Sequence, residues 1–158
     1  MSGFPEKKGD FLMDRFVAQG VAAETMRRCA EKLGLGGVGG ILVLESWETV
    51  LQPTIVIVGD CVPFGRDLEE YTEDNNPAAK AFRKFAEMLY TGVNSGSPQI
   101  KGTRSERFGG LVSVVGRTLF ISFFDGGTEL QNAEIALAAL DTLRDVFNAR
   151  LPKPYLSD

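Results

Sequence analysis

The sequence predicts an α+β domain in which an antiparallel sheet is flanked by helices. Two observations carry this prediction. Short apolar runs typical of strands occur in pairs, and each pair is joined by a short turn. Amphipathic helical patterns precede, separate and follow these pairs. Strands that follow one another through tight turns pair antiparallel, and amphipathic helices bury one face against such a sheet.

The first helix is predicted from the spacing of apolar residues between Val21 and Leu33, with charged residues on the opposite face. Gly34 and the pair Gly36-Gly37 end this helix, because glycine readily adopts the left-handed conformation that closes a helix. A short helix over residues 10–18 can precede it.

Two strands follow. The continuous apolar run Ile41–Leu44 is typical of a central strand, and the β-branched run Thr54–Val58 predicts a second one. Ser46-Trp47-Glu48 predicts a turn, and it makes Trp47 the best candidate for an exposed aromatic contact.

The second helix begins at Asn76-Pro77, where asparagine caps the helix and proline fits its first position. Gly92 ends it. The residues predicted to face the core are Ala78, Phe82, Phe85, Ala86 and Leu89. The residues predicted to form an opposite basic face are Lys80, Arg83 and Lys84.

The C-terminal third predicts a hairpin and a long helix. Apolar runs flank the turn Gly116-Arg117, and Thr128 with Gln131 forms a capping box ahead of a helix to Arg150. A further short strand can lie at residues 99–103. Neighbouring phenylalanines at 123 and 124 point to opposite faces of their strand, so both faces need covering, by a core or by a dimer contact.

Length and composition indicate one domain over residues 1–158, with 1–9 disordered, 10–150 forming the core and 151–158 forming a tail. The net charge of −4 argues against nucleic acid as a partner. No apolar run has the roughly 18 residues that cross a membrane, and no signal peptide is visible. We therefore expect a cytoplasmic protein that binds neither nucleic acid nor membrane.

The chain contains no histidine. This excludes Ser–His and Cys–His catalysis and histidine-ligated zinc. Its two cysteines, Cys29 and Cys61, have no metal-ligand spacing, so no metal site is predicted. Cys29 falls on the apolar face of the first helix and is interpreted as a structural thiol.

Two groups of residues are candidates for binding a small acidic ligand. The first is the basic, glycine-containing approach to the hairpin, formed by Lys101, Arg104, Arg107, Phe108, Gly109 and Gly110. A solvated basic loop is the alternative interpretation. The second is the helix start Gly126-Gly127-Thr128, whose backbone amides can receive an anion. Here the alternative is a purely structural turn and cap.

The stretch Gly126 to Ala136, with its Gly-Gly-Thr turn and alanine-rich helix, is similar to a motif of the haem-degrading or glycolate-operon protein family. Phe108-Gly109-Gly110 ahead of a hairpin, and Ala79-Lys80-Ala81 on the second helix, resemble further elements of that family. The resemblance covers residues 77–146, mainly 108–146. It implies a profilin-like sandwich fold. It also implies haem as a possible cofactor, although family members that bind haem are expected to use a histidine, which this chain lacks.

Three functional hypotheses follow. The first is a small-molecule-binding or sensory module, expected to form a homo-oligomer, with an acidic ligand near Arg104, Arg107 and Gly109-Gly110. The second is a haem-binding or haem-degrading protein that uses lysine, tyrosine, methionine or cysteine as the ligand. The third is a protein-interaction module that uses the acidic segment 67–74 and the edge of the hairpin. Whether the protein is an enzyme is left open.

Overall fold

The computed structural model of the chain describes residues 3–59, 76–95 and 109–150, without the side chains of residues 3–13 and 150. The helices and strands in these ranges are, in order, α1 Gly3–Lys32, β1 Gly37–Glu45, β2 Thr54–Val58, α2 Pro77–Thr91, β3 Gly110–Val115, β4 Thr118–Asp125 and α3 Glu129–Arg150. The predicted α+β class, an antiparallel sheet with flanking helices, is confirmed.

The four strands form one sheet in the order β2-β1-β4-β3, and all neighbouring strands are antiparallel. β1 and β4 lie in the centre and β2 and β3 lie at the edges. In the register, Gly40 of β1 lies opposite Ile55 of β2 and opposite Phe123 of β4. The two predicted strand pairs are therefore joined into one sheet by the pairing of β1 with β4.

Helices cover both faces of the sheet. Phe120 and Phe124 belong to a core with α1 and α3, whereas Phe123 belongs to a second core with α2. Phe120 packs edge-on against Phe147 of α3, and Phe123 stacks on Phe85 of α2. Successive side chains of β4 point to opposite faces of the sheet, so its phenylalanines are divided between two helical layers. Phe123 is buried by α2, and a dimer contact is not needed to cover it.

α1 is one continuous helix of 30 residues, where the sequence predicted disorder over 1–9 and two separate helices. Pro5 does not interrupt it because it lies in the first helical turn, where a missing N–H is tolerated. The predicted end of the helix is confirmed. Gly34 adopts φ 72°, and its N–H donates to the carbonyl of Glu31 (2.9 Å).

α2 has the predicted bounds and caps, but the predicted buried face is partly wrong. Phe82 and Ala86 are exposed, and the buried positions include Ala81, Lys84 and Met88. The stacking of Phe85 on Phe123 at 4.9 Å sets the rotation of the helix, and Phe82 remains at the rim, 6.2 Å from the same ring. Lys84 consequently lies inside and not on an exposed basic face.

Several predicted features lie outside the described residues. They are the acidic segment 67–74, Cys61, the possible strand at 99–103 and the tail 151–158. Trp47 lies in the predicted turn and is exposed. None of the three helices, over the ranges described above, has both the length and the apolar character needed to cross a bilayer.

Candidate functional site

A polar cluster lies where β4 ends, between α2 and α3. It consists of Lys80 and Lys84 of α2, Gly109 before β3, Asp125 of β4 and Asn132 of α3, and we call it the Lys84 cluster. Lys84 Nζ donates a hydrogen bond to the carbonyl of Phe124 at 2.9 Å and lies 3.8 Å from Asp125 Oδ1. Lys80 Nζ lies 3.6 Å from the other carboxylate oxygen, Oδ2.

The local structure explains why these side chains meet. Lys80 and Lys84 are four residues apart on α2, so both side chains project from one face of the helix. Asp125 is the last residue of a central strand, directly beside the sheet face that α2 covers. The ammonium groups therefore approach the carboxylate from one side and bind one oxygen each.

Asn132 holds Asp125 from the α3 side. Its Nδ2 donates to Asp125 Oδ1 and to the carbonyl of Gly127, both at 3.3 Å. Its Oδ1 accepts from the N–H of Gly127 at 2.9 Å. One amide side chain thus joins the start of α3, the preceding turn and the end of β4.

Gly109 is required by the packing around the cluster. Its φ of 120° is a conformation that residues with a side chain rarely adopt. A Cβ at this position would lie 2.8 Å from Lys84 Nζ and 2.7 Å from Asn132 Cβ. The carbonyl of Gly109 accepts from the N–H of Phe124 at 2.8 Å, which extends the pairing of β3 with β4.

The two lysines differ in exposure. Lys84 is 1% exposed, whereas the Lys80 side chain is 35% exposed. A buried ammonium needs charged or hydrogen-bonded partners, and Asp125 and the Phe124 carbonyl supply them. Among the residues that define the cluster, two ammonium groups face one carboxylate, and Lys80 is the lysine that reaches solvent.

The structure joins part of the predicted ligand site to this cluster. Gly109 belongs to it, and the neighbouring Gly110 is buried, where a Cβ would lie 2.7 Å from Met88 Cε and 2.8 Å from Ser95 Oγ. The four predicted residues that lie outside the described part of the chain are Lys101, Arg104, Arg107 and Phe108. Their role in ligand binding stays a prediction.

The helix start Gly126-Gly127-Thr128 has internal partners for its polar groups. The predicted capping box is confirmed: Thr128 N–H donates to Gln131 Oε1 at 2.9 Å, and Gln131 N–H donates to Thr128 Oγ1 at 3.2 Å. Gly126 packs against the backbone of Gly36 and Gly37. These contacts support the structural interpretation of this turn, because its amides at 127, 128 and 131 are already bonded.

Lys84, Asp125 and Asn132 are members of the cluster that the sequence did not predict as site residues. A signal for Lys84 was present. Ala81, Phe85 and Met88 follow the i, i+4, i+7 spacing of a buried face, and Lys84 interrupts that face with a charge. Nothing in the sequence indicated that Asp125 and Asn132 meet it, because that contact requires the packing of two helices on opposite faces of the sheet.

Two further findings bear on function. Within residues 3–59, 76–95 and 109–150, no three histidine, cysteine, aspartate or glutamate side chains are grouped as a metal site would require. Comparison of the chain with known protein families, with curated proteins and with solved structures found no match. The resemblance described for residues 108–146 stays a prediction.

Proposed function

We propose that the protein is a small-molecule-binding module that takes an anionic ligand at the exposed side of the Lys84 cluster. The observation that carries this proposal is the part-exposed ammonium of Lys80, which lies 3.6 Å from the buried Asp125 carboxylate, beside Lys84. The protein as a whole has a net charge of −4, so the binding of an anion requires a local group of cations such as this one.

Lys80 has the chemistry that such a ligand needs. Its Nζ lies 3.6 Å from Asp125 Oδ2, which is an ion-pair separation longer than a normal hydrogen bond. An ammonium group carries three N–H donors, so donors remain for a carboxylate or phosphate oxygen. Asp125 and Lys84 keep their mutual contacts when a ligand binds, so the site is preorganised.

The basic segment predicted from the sequence supports the same location. Arg107 precedes Gly109 by two positions in the chain, and Gly109 contacts Lys84. An arginine close in sequence to this cluster is suited to bidentate binding of a carboxylate or phosphate. Arg104 and Lys101 add further positive charge to the same segment.

Binding assays with small anions test the proposal. Succinate, citrate and inorganic phosphate are titrated by calorimetry and by thermal shift, and at least one is expected to bind and to raise the melting temperature. Lys80→Ala and Arg107→Ala are each expected to weaken that binding about tenfold, the effect of losing one charge-assisted hydrogen bond. Lys32→Ala, an exposed lysine at the end of α1, is the matched control and is expected to bind as the wild type does.

Two results would contradict the proposal. One is the absence of binding or thermal shift with all three anions. The other is an affinity that neither Lys80→Ala nor Arg107→Ala changes. The affinity is also expected to fall as salt is raised, because the contact is between opposite charges near the surface.

The buried sulfur and amine groups among the described residues are not available as haem ligands. The methionine sulfurs of Met26 and Met88 are enclosed in the two cores, and Cys29 packs against the core formed by α1 and α3. Lys84, the buried amine, already binds a carbonyl and a carboxylate. A haem titration is expected to show no Soret change, and a Soret shift would support the haem-binding alternative.

A further inference from the structure

The free edge of β2 can be defined from the hydrogen bonds of β1. The N–H groups of Val43 and Glu45 bond to Gln19 Oε1 (2.9 Å) and Glu48 Oε1 (2.8 Å), whereas Ser46 N–H bonds to the Arg117 carbonyl (3.0 Å) on the β4 side. Along a strand, successive residues direct their backbone groups to alternate sides. The backbone N–H and C=O groups of the odd-numbered β1 residues therefore point toward β2.

The register then assigns the groups on β2. Ile41 lies opposite Thr54, Gly39 opposite Val56 and Gly37 opposite Val58. Thr54, Val56 and Val58 consequently bond to β1, and the intervening Ile55 and Ile57 direct their N–H and C=O groups outward. Within the part of the chain that the structure describes, no residue bonds to these outward groups.

The side chains of this edge are apolar and accessible. Val56 and Val58 are buried in the core with α1, while Ile55 and Ile57 point to the other face and are 39% and 49% exposed. The strand Thr-Ile-Val-Ile-Val contains no charge and no proline. Soluble proteins usually protect an edge strand with lysine, proline, a bulge or a covering segment, because an open apolar edge pairs with another strand.

The opposite edge of the sheet is protected over its first half. Ser95 bonds to Gly110 in both directions, with Ser95 N–H donating to the Gly110 carbonyl (3.0 Å) and Gly110 N–H donating to Ser95 Oγ (2.9 Å). Asn94 Oδ1 accepts from Val112 N–H at 2.8 Å. The residues that follow α2 therefore occupy part of the β3 edge, whereas described residues leave the β2 edge open.

Further exposed apolar side chains lie in the connection before β2 and on α1. Trp47, Val50 and Leu51 are exposed in the connection that leads into β2. Phe16 is exposed on α1, and its ring lies 5.1 Å from the guanidinium carbon of Arg15, which also bonds to Gln52 next to the strand. Exposed apolar side chains close to an open edge strand favour an interaction surface there.

We propose that β2 pairs antiparallel with β2 of a second copy of this chain, around a two-fold axis at Val56. The two outward residues are both isoleucine and are equally spaced from that axis. Ile55 then exchanges both backbone hydrogen bonds with Ile57 of the partner subunit, and the reverse pair is identical. The two four-stranded sheets form one continuous sheet of eight strands.

The self-complementary β2 edge favours a second copy of this chain, and not a different protein, as the partner. Two copies of the β2 edge are complementary in their backbone hydrogen bonds and in their apolar side chains. Residues 54–58 contain no charge, so no like charges face each other across the axis. Five paired residues alone bury less than the roughly 800 Å² per partner of a stable interface. The proposal therefore requires the exposed side chains of the connection before β2 to contribute additional area.

The oligomeric state tests the proposal directly. At about 50 µM, light scattering after size exclusion is expected to give twice the chain mass for the wild type, because a dimer of micromolar affinity is populated at that concentration. Ile57→Lys is expected to give the monomer mass with an unchanged circular dichroism spectrum. Val114→Lys, at an exposed position (61%) on the opposite edge strand, is the matched control and is expected to remain a dimer. A monomeric wild type, or a dimeric Ile57→Lys variant, would overturn the proposal.

Cysteine cross-linking tests the register in a background with Cys29→Ala and Cys61→Ala. In the proposed pairing, residues 55 and 57 of opposite copies lie about 5.5 Å apart at Cα, a separation that a disulfide can span. Like-numbered residues lie diagonally, about 7–8 Å apart. An equimolar mixture of Ile55→Cys and Ile57→Cys proteins is therefore expected to cross-link under mild oxidation, and each alone much less. Equal cross-linking of the single variants and the mixture would overturn this register.

Discussion

The ammonium of Lys84 lies in the protein interior because three neighbouring residues accommodate it. The carbonyl of Phe124 accepts its hydrogen bond, and the carboxylate of Asp125 offsets its charge. Gly109 leaves the space that its Nζ occupies. At the residue scale, the site depends on a positive charge, a negative charge and the absence of a side chain at one position.

Replacing Lys84 by methionine is expected to lower the free energy of unfolding by about 3 kcal/mol, because it leaves the buried Asp125 carboxylate with one cation fewer. Urea unfolding measures this. Lys80→Met is the matched control, and the expected loss is below about 1 kcal/mol, since the Lys80 ammonium is part-exposed and screened by water. Equal losses for the two variants would contradict the different roles assigned to these lysines.

Gly109→Ala is expected to destabilise the protein by at least about 2 kcal/mol, from the strained φ together with the overlap with Asn132 and Lys84. The thermal midpoint is the measurement. Gly20→Ala is the matched control at a glycine where a side chain is tolerated. Gly20 lies in an exposed helical position with no atom within 4 Å of an added Cβ. It is expected to stabilise the protein by about 0.5–1 kcal/mol. A neutral Gly109→Ala substitution would show that the backbone there relaxes freely.

At the element scale, side chains form hydrogen bonds with backbone groups that lie beyond the ends of the strand pairing. Gln19 of α1 accepts the Val43 N–H, which lies beyond the end of the β1–β2 pairing, and it donates to Thr54 Oγ1 at 3.0 Å. The buried Arg15 forms an ion pair with Glu48 and donates to Gln52 Oε1 at 3.0 Å. Two residues one turn apart thus fix the connection between β1 and β2 to α1.

The N-terminal cap of α2 is the element-scale feature closest to the site. Asn76 Oδ1 accepts from the N–H groups of Ala78 at 3.0 Å and Ala79 at 3.2 Å. Asn76→Ala is expected to cost about 1 kcal/mol in urea unfolding, the usual loss for a helix cap. Asn76→Ser keeps an accepting oxygen and is expected to cost much less. An equal loss for both variants would mean that the cap oxygen does not stabilise α2.

At the scale of the whole molecule, the sheet separates two layers that are packed differently. The α1/α3 layer contains several fully buried alanines, whereas the α2 layer is dominated by Phe85, Met88 and Phe123. Small residues allow two helices to lie close together on one face of the sheet. The alanines of the first layer are Ala18, Ala22, Ala30 and Ala139.

Ala22→Leu is expected to destabilise the protein by about 1–3 kcal/mol, because extra methyl and methylene groups in a close-packed core displace their neighbours. Val21→Leu is the matched control on the same helix, where the side chain is exposed, and little change is expected. Differential scanning calorimetry of the two variants measures the effect. A stable Ala22→Leu variant would show that the layer contains unfilled space.

Local sequence signals determined most of the elements of this protein. The Asn76-Pro77 start and Gly92 end of α2, the Thr128–Gln131 capping box and the hairpin turn at Gly116 each act within a few residues, so they can be recognised without the fold. The neighbouring phenylalanines of β4 also required cover on both faces of the sheet. The composition and the absence of histidine restricted the possible chemistry.

Only the tertiary structure decided which face of α2 is buried, and with it the location of Lys84. Phe85 stacks on Phe123 and Phe82 stays exposed, and with this rotation of the helix Lys84 lies inside. Asp125 and Asn132 then meet this lysine from elements that are distant in sequence. The sequence determined the elements because their signals are local, and packing decided the site because its charges come from both faces of the sheet.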